Sequence, residues 1–235
     1  SLDNKTIADV NTLLYIAMAV FAFVFVFLLL TPIAEPKVSE KGVTYERTPW
    51  AFRHFVLGAI AIFVYVGVEV GIPATLIDYL KNSMDFETAG FIAGIYWLLM
   101  LVGRFVGSAI GGNVSSKTMV VTVSAAAIVL IVAAMFLGNT ITVPFIGDWK
   151  FTIVQIPIAA LLLVLCGLCT SIMWGCIFNL AVEGLGKYTA KASGIFMMMG
   201  VGGGIVPLIQ SAVAGRFGEM ISYIVPLLGV IYILY

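Results

Sequence analysis

Runs of apolar residues long enough to cross a lipid bilayer recur along nearly the whole chain, and no other feature restricts its fold as much. A hydrocarbon core about 30 Å thick takes about 20 helical residues. Stretches of that order fall at roughly 12–33, 54–80, 89–112, 118–138, 151–182, 192–215 and 220–235, the last one short. Transmembrane strands would alternate apolar and polar over about ten residues, and these runs do not. Lipid offers the backbone no hydrogen-bond partners, so each run has to satisfy itself as a helix. Composition agrees: 62% of the 235 residues are hydrophobic and 10% are charged, at a mean hydropathy of +1.13, where a soluble domain carries about 25% charged residues. The fold expected is all-α, a membrane bundle of about seven transmembrane helices with no room for a separate soluble domain.

The formal charge is zero, so nothing in the total points to nucleic acid, and the placement of charges carries the information instead. Loops around 34–53, 113–117 and 183–191 hold Lys37, Lys41, Arg47, Arg53, Lys117, Lys187 and Lys191; the opposite side holds Lys5, Lys81, Lys150 and Arg216. The richer side is predicted to be cytoplasmic. The connection PIAEPKVSEKGVTYERTPWAFRH is much longer than the others and mixes Pro with both charge signs. It divides the chain into three parts: 1–33, an extracytoplasmic segment and the last helix of one bundle; 34–53, a cytoplasmic linker; and 54–235, a second, six-helix bundle that is incomplete at its end. The polar opening SLDNKTIADVNT without an initiator Met, and an apolar end at Tyr235, predict a piece of a longer polypeptide whose first bundle is missing.

Several chemistries lack their residues. Cys166-x-x-Cys169 has no second pair and no nearby histidine, so it is expected to pack as small apolar side chains rather than bind metal. Gly186-Lys187-Tyr188-Thr189 has no Ser or Thr directly after the Lys and no Gly at Ala181, which rules out a phosphate loop. MMMGVGGGIVP (197–207) follows no strand, which rules out a dinucleotide site. The only histidine, His54, stands at a bilayer edge, leaving a metal cluster or a Ser-His arrangement nothing to draw on. No catalytic residue, metal or cofactor is expected.

Glu69 is the exception to this apolar pattern. A carboxylate near the centre of a span costs about 2.5–3.5 kcal/mol on insertion scales and has to face the bundle interior or a water-filled cavity. Gly71 and Pro73 follow one turn on, and a Gly/Pro-interrupted span is the usual pointer to a transporter binding site near the midplane. In the third span Gly103, Gly107 and Gly111 fall four apart on one face and predict close helix packing. Arg104, two to three turns inside the cytoplasmic edge, needs a partner. In the fifth run Trp174 and Asn179 flank Gly175, and a Trp beside a polar donor can stack on a sugar ring as well as pack. That run, Phe151–Val182, exceeds what a perpendicular helix needs and is expected to tilt, kink near Pro157 or project beyond the membrane. Seven helices also suit a receptor or a membrane scaffold without transport, although a receptor does not account for Glu69 beside a broken helix.

YVGVEVG (65–71), the stretch from DFETAGFIAG to VGRFVGS (85–108) and SIMWGCIFNLAVEGLGKYTAKASGIFMMMGVGGGIVPLIQ (171–210) resemble the carboxy-terminal half of the fucose:proton symporter family, within the major facilitator superfamily, and its glucose/galactose transporters most. The resemblance implies a twelve-helix carrier of two six-helix bundles in a bacterial inner membrane, importing a monosaccharide with a proton by alternating access. The acidic residues tied to proton coupling in that family lie in the amino-terminal bundle. On this footing Glu69 is the expected polar anchor for sugar hydroxyls, with Tyr65, Tyr96, Trp97, Trp174, Asn179 and Gln210 as lining. Arg104 and Glu183 are the expected cytoplasmic ion pair of a gate, with Lys187 the competing partner one turn from Glu183. The sequence departs from the family's aromatic-Pro pair at Trp174-Gly175, and some fucose carriers have an amide where Glu69 stands.

Overall fold

The computed structural model describes residues 7–31 and 48–235. The chain divides into two units, one holding the first helix and one holding everything after the long connection. Residues 34–47 of the expected linker lie outside the described residues.

In the first unit, α1 (Ile7–Leu30) is an apolar helix without Pro or Gly. Phe23 and Phe27 stack at 6.3 Å, and Thr31 returns both its N–H (3.0 Å) and its hydroxyl (2.8 Å) to the Phe27 carbonyl, which satisfies an acceptor that the helix end leaves open.

The second unit opens with a 3-10 turn at Pro49–Ala51 and continues as α2 (Arg53–Leu80), α3 (Phe86–Ile110) and α4 (Ser116–Leu137). A two-stranded hairpin follows, β1 (Thr142–Ile146) and β2 (Ile153–Pro157), antiparallel with Thr142 opposite Pro157. Then come α5 (Ile158–Thr170), α6 (Met173–Val182), α7 (Thr189–Met198), α8 (Gly202–Phe217), α9 (Glu219–Ser222) and α10 (Ile224–Leu234). Among the described residues, five stretches are long and apolar enough to cross a membrane: 53–80, 86–110, 116–137, 158–182 and 186–217. Two shorter apolar helices, within 14–30 and 219–234, complete the positions expected from the sequence. Side chains start the outer helices where the sequence allows: Asp85 accepts from the Thr88 N–H at 2.9 Å and Ser115 from the Thr118 N–H at 3.2 Å, the N-cap geometry that satisfies an orphan amide.

The central helix is α2, which packs against α8, α6, α10, α3 and α5. Glycines set how closely. At Gly202 an added Cβ would strike the Phe63 carbonyl oxygen, and at Gly67 the Val206 side chain, so α2 and α8 meet nearly backbone to backbone. Gly103 and Gly107 likewise admit Ser171 and Ile172 against α3, as their spacing predicts. Gly111 differs: it caps the end of α3, and a Cβ there would meet only carbonyls of its own helix.

Two expectations about interruptions are corrected. Pro73 does not break α2, which runs through it to Leu80; Pro73 lacks an N–H, so its effect is to deprive the Glu69 carbonyl, four residues back, of its helical partner. The fifth run is not one long helix. Its first residues form β2, because Ile153, Val154 and Ile156 are β-branched and alternate in burial against β1, and the helix starts only after Pro157. The remaining 158–182 is interrupted at Ser171–Ile172, between α5 and α6. A second interruption, the 3-10 turn Met199–Val201, separates α7 from α8.

Candidate functional site

The α5–α6 interruption is where the polar side chains of the bundle converge. Thr170 and Ser171 bend their hydroxyls back onto their own helix, Thr170 Oγ1 to the Cys166 and Gly167 carbonyls at 3.2 Å each and Ser171 Oγ to the Leu168 carbonyl at 2.6 Å, a competition that bends helices. The freed carbonyls are taken up from neighbouring helices. Tyr65 on α2 donates its hydroxyl to the Thr170 carbonyl at 3.0 Å, and the Tyr96 hydroxyl on α3 lies 2.9 Å from Thr170 Oγ1. Both tyrosines are fully buried. They are therefore braces of the interruption, and each satisfies a polar group that would be costly to strand in the bundle interior.

Arg104 on α3 reaches the same place from the other side. Its Nε donates to the Ser171 carbonyl at 3.4 Å, and its Nη2 lies 3.9 Å from Glu69 Oε1 on α2. The Glu69 side chain is only 14% exposed while that of Arg104 is 53% exposed, so the carboxylate is largely enclosed and the guanidinium is half open. This corrects the expected Arg104–Glu183 pair. Glu183 caps the end of α6 and is exposed, and Arg104, set back from the helix end by nearly two turns, meets the nearer carboxylate on α2 instead.

The open space is a cavity of about 580 Å³ lined by Arg104, Gly107, Gly111, Ser116, Ser171, Trp174, Gly175 and Asn179, among others. Trp174 forms one wall, edge to face with Tyr65 at 6.2 Å and with Phe196 at 5.6 Å. Asn179 Nδ2 donates to Ser116 Oγ at 3.4 Å, a long bond. A larger groove of about 900 Å³ lies between the hairpin and the start of α3, beside Phe91, Trp149 and Phe151. The smaller cavity is the candidate site because charged and polar side chains from three helices converge on it.

Of the residues singled out from the sequence, the structure thus brings Glu69, Tyr65, Tyr96, Arg104, Trp174 and Asn179 around one interruption. Trp97 is 41% exposed beside Tyr96, at 5.6 Å between rings, and does not line this cavity. Gln210, on α8, is fully buried against Gly71 of α2, and among the described residues neither its amide oxygen nor its nitrogen has a partner. Thr170, Ser171 and Ser116 belong to the site and were not foreseen; the Cys-Thr-Ser-Ile run, whose hydroxyls can back-bond in a helix, was the available signal. Among the described residues no group of three or more metal-ligating side chains occurs.

Comparison with known proteins places this architecture. Over 228 residues the chain is 34% identical to the glucose/galactose transporter of Brucella abortus biovar 1 (strain 9-941), covering 94% of this chain and 50% of the relative. It is 26% identical over 171 residues to the L-fucose-proton symporter of Escherichia coli (strain K12), covering 72% of this chain and 35% of that one. The crystal structure of the E. coli fucose:proton symporter superposes with a TM-score of 0.77 at 20% identity, over 99% of this chain and 58% of that chain, a likeness of fold. The chain spans half or less of the length of these curated relatives. The profile of the Major Facilitator Superfamily, a family of transporters rather than enzymes, matches residues 8–234. The chain belongs to the Major Facilitator Superfamily.

Proposed function

We propose that the complete polypeptide imports a monosaccharide together with a proton by alternating access, and that this chain supplies the carboxy-terminal wall of the substrate path. The observation that carries the reading is the Glu69–Arg104 pair beside an interrupted helix, at the edge of a cavity walled by Trp174. An ionisable pair inside a membrane bundle is expensive and typically marks a substrate or ion pathway, and an interrupted helix near midplane is where carriers hold their cargo. Relatives named for glucose, galactose and L-fucose-proton symport support the cargo class and the coupling ion. In this reading Glu69 accepts hydrogen bonds from sugar hydroxyls, and Trp174 offers a ring face. Asn179 supplies a side-chain amide; Trp97 and Gln210 join the lining in another state of the carrier, and Glu183 sits at the cytoplasmic gate. The amino-terminal bundle closes the other wall, and the 34–53 connection faces the cytoplasm of a bacterial inner membrane.

The test is uptake of labelled D-glucose, D-galactose and L-fucose by the complete polypeptide in sealed vesicles, with and without an imposed proton gradient. Accumulation that collapses when the gradient is discharged is expected. Failure to take up any monosaccharide under either condition would overturn the reading.

A further inference from the structure

The Arg104–Glu69 contact is too long to be a tight pair. A charge-assisted N–H to carboxylate bond closes to about 2.7–2.9 Å, whereas Nη2 and Oε1 stand 3.9 Å apart and Nε stands 3.4 Å from the Ser171 carbonyl. The guanidinium has five N–H donors in a fixed fork. Two are directed to these partners, and the rest belong to a side chain that is 53% exposed and lines the cavity. Glu69, on the far side of the gap, has only acceptors when ionised. No atom fits in line between them at 3.9 Å, but one oxygen set to the side of the pair, about 2.8 Å from each, can accept from Arg104 and donate to Glu69 at once. A hydroxyl does both; a carboxylate or phosphate cannot donate, and an ammonium cannot accept. Arg104 is held from outside the pair by the Ser171 carbonyl and the Glu69 side chain is largely enclosed, so the two groups stand together before a ligand arrives.

We propose that Arg104 is a substrate-contact residue, and that one hydroxyl of a neutral sugar or polyol bridges Arg104 and Glu69 from beside the pair. The inference rests on the transport reading and deepens it, because it selects neutral hydroxylated cargo over sugar acids, sugar phosphates and amino sugars at that position. Arg104 then has a role beyond packing: it discriminates by needing an oxygen that both donates and accepts. The substitution Arg104→Lys keeps the charge but loses the planar fork and its reach.

Equilibrium binding of D-galactose and D-glucose, and of their monodeoxy derivatives, to the detergent-solubilised complete polypeptide tests the bridge, using the wild type, Arg104→Lys and Arg104→Gln. Both variants are expected to bind the parent hexose about tenfold or more weakly, the scale of a lost hydrogen bond to a charged group. One monodeoxy hexose is expected to bind the wild type about tenfold worse than its parent and to lose nothing further in Arg104→Lys, since the bridge is already absent. Parent affinity unchanged in both variants would overturn the bridge, as would a deoxy series that loses the same factor in wild type and variant. Should neither variant fold, as judged by thermal melting, the wild-type series decides: monodeoxy affinities all within about twofold of the parent overturn the proposal, and one outlier sustains it. Absence of any hexose binding to the wild type overturns the transport reading and this inference together, whereas hexose binding that is indifferent to Arg104 overturns this inference alone.

Discussion

Arg104 and Glu69, thirty-five residues apart on α3 and α2, share a gap of 3.9 Å at the interruption between α5 and α6. Close contacts at Gly103, Gly107 and Gly167 hold α3 against α5 and the break after it, which keeps Arg104 at this place. Removing Arg104 leaves the largely enclosed Glu69 carboxylate without its counter-charge, which is more damaging than the net worth of the pair, since desolvation offsets much of the attraction.

Glu69→Gln should weaken hexose binding by roughly ten- to hundredfold, since a hydrogen bond to a charged group contributes about 1.5–3 kcal/mol. Equilibrium binding of labelled hexose to the complete polypeptide provides the check, and affinity equal to wild type would remove Glu69 from the role of anchor.

Close approach of α2 and α8 makes a second, purely structural forecast. Gly202→Ala places a methyl group against the Phe63 carbonyl, a backbone atom that cannot swing aside, whereas an added Cβ at Gly204, two residues on, meets nothing within 4 Å. Overpacking of this kind costs about 1–3 kcal/mol or more. Thermal melting in detergent should drop clearly for Gly202→Ala and stay near wild type for Gly204→Ala; the reverse order would show that α2 and α8 do not pack this way.

The helices were legible in the sequence because the bilayer imposes length and apolarity on each of them separately. Glu69, Trp174 and Asn179 were legible for the same reason, as polar or amphipathic residues that lipid would not tolerate facing outward. What escaped the sequence depends on neighbours. Which carboxylate Arg104 meets is decided by α2 lying across α3, not by any spacing along the chain, and Glu183 looked as suitable as Glu69 until the helices were placed. The hairpin escaped because β2 is apolar and joins α5 without a polar break. The interruption at Ser171 escaped because its cause is two short hydroxyl side chains rather than the Gly or Pro that usually marks one.

At the outer tip of the hairpin the Asp148 carboxylate accepts from the backbone N–H groups of Thr152 (3.0 Å) and Lys150 (2.8 Å) and from the Thr152 hydroxyl (2.8 Å). The Thr152 bonds, backbone first and then hydroxyl, hold its pKa below the ordinary carboxylate value. A depressed folded-state pKa means the turn's contribution is fully present above the unfolded value of about 3.9 and is lost as pH falls through the lower, folded one. Protection of the Lys150 and Thr152 amides, read as exchange relative to the intrinsic rate at each pH, should hold between about pH 5 and 8 and fall only below about pH 4. Asp148→Asn, which keeps the shape but not the charge, should remove that acid step; an acid step that persists in the variant would assign it to another group.

Gln210 offers the sharpest contrast between stability and function. Its side chain is completely buried against Gly71 at the α2–α8 contact, and both amide atoms lack partners. A buried polar group left unsatisfied costs about 1–3 kcal/mol, and an apolar side chain of similar length fills the same space without that cost. Gln210→Met should therefore raise the thermal midpoint of the protein in this conformation. If Gln210 contributes only packing, transport should be retained along with the added stability. If it finds its hydrogen bonds in another state of the carrier, with α8 shifted against α2, the same variant should be more stable yet slower, because the state that satisfies the amide loses its advantage. Uptake rates measured beside melting curves separate the two outcomes, and a variant that is less stable than wild type would show that the amide has partners after all.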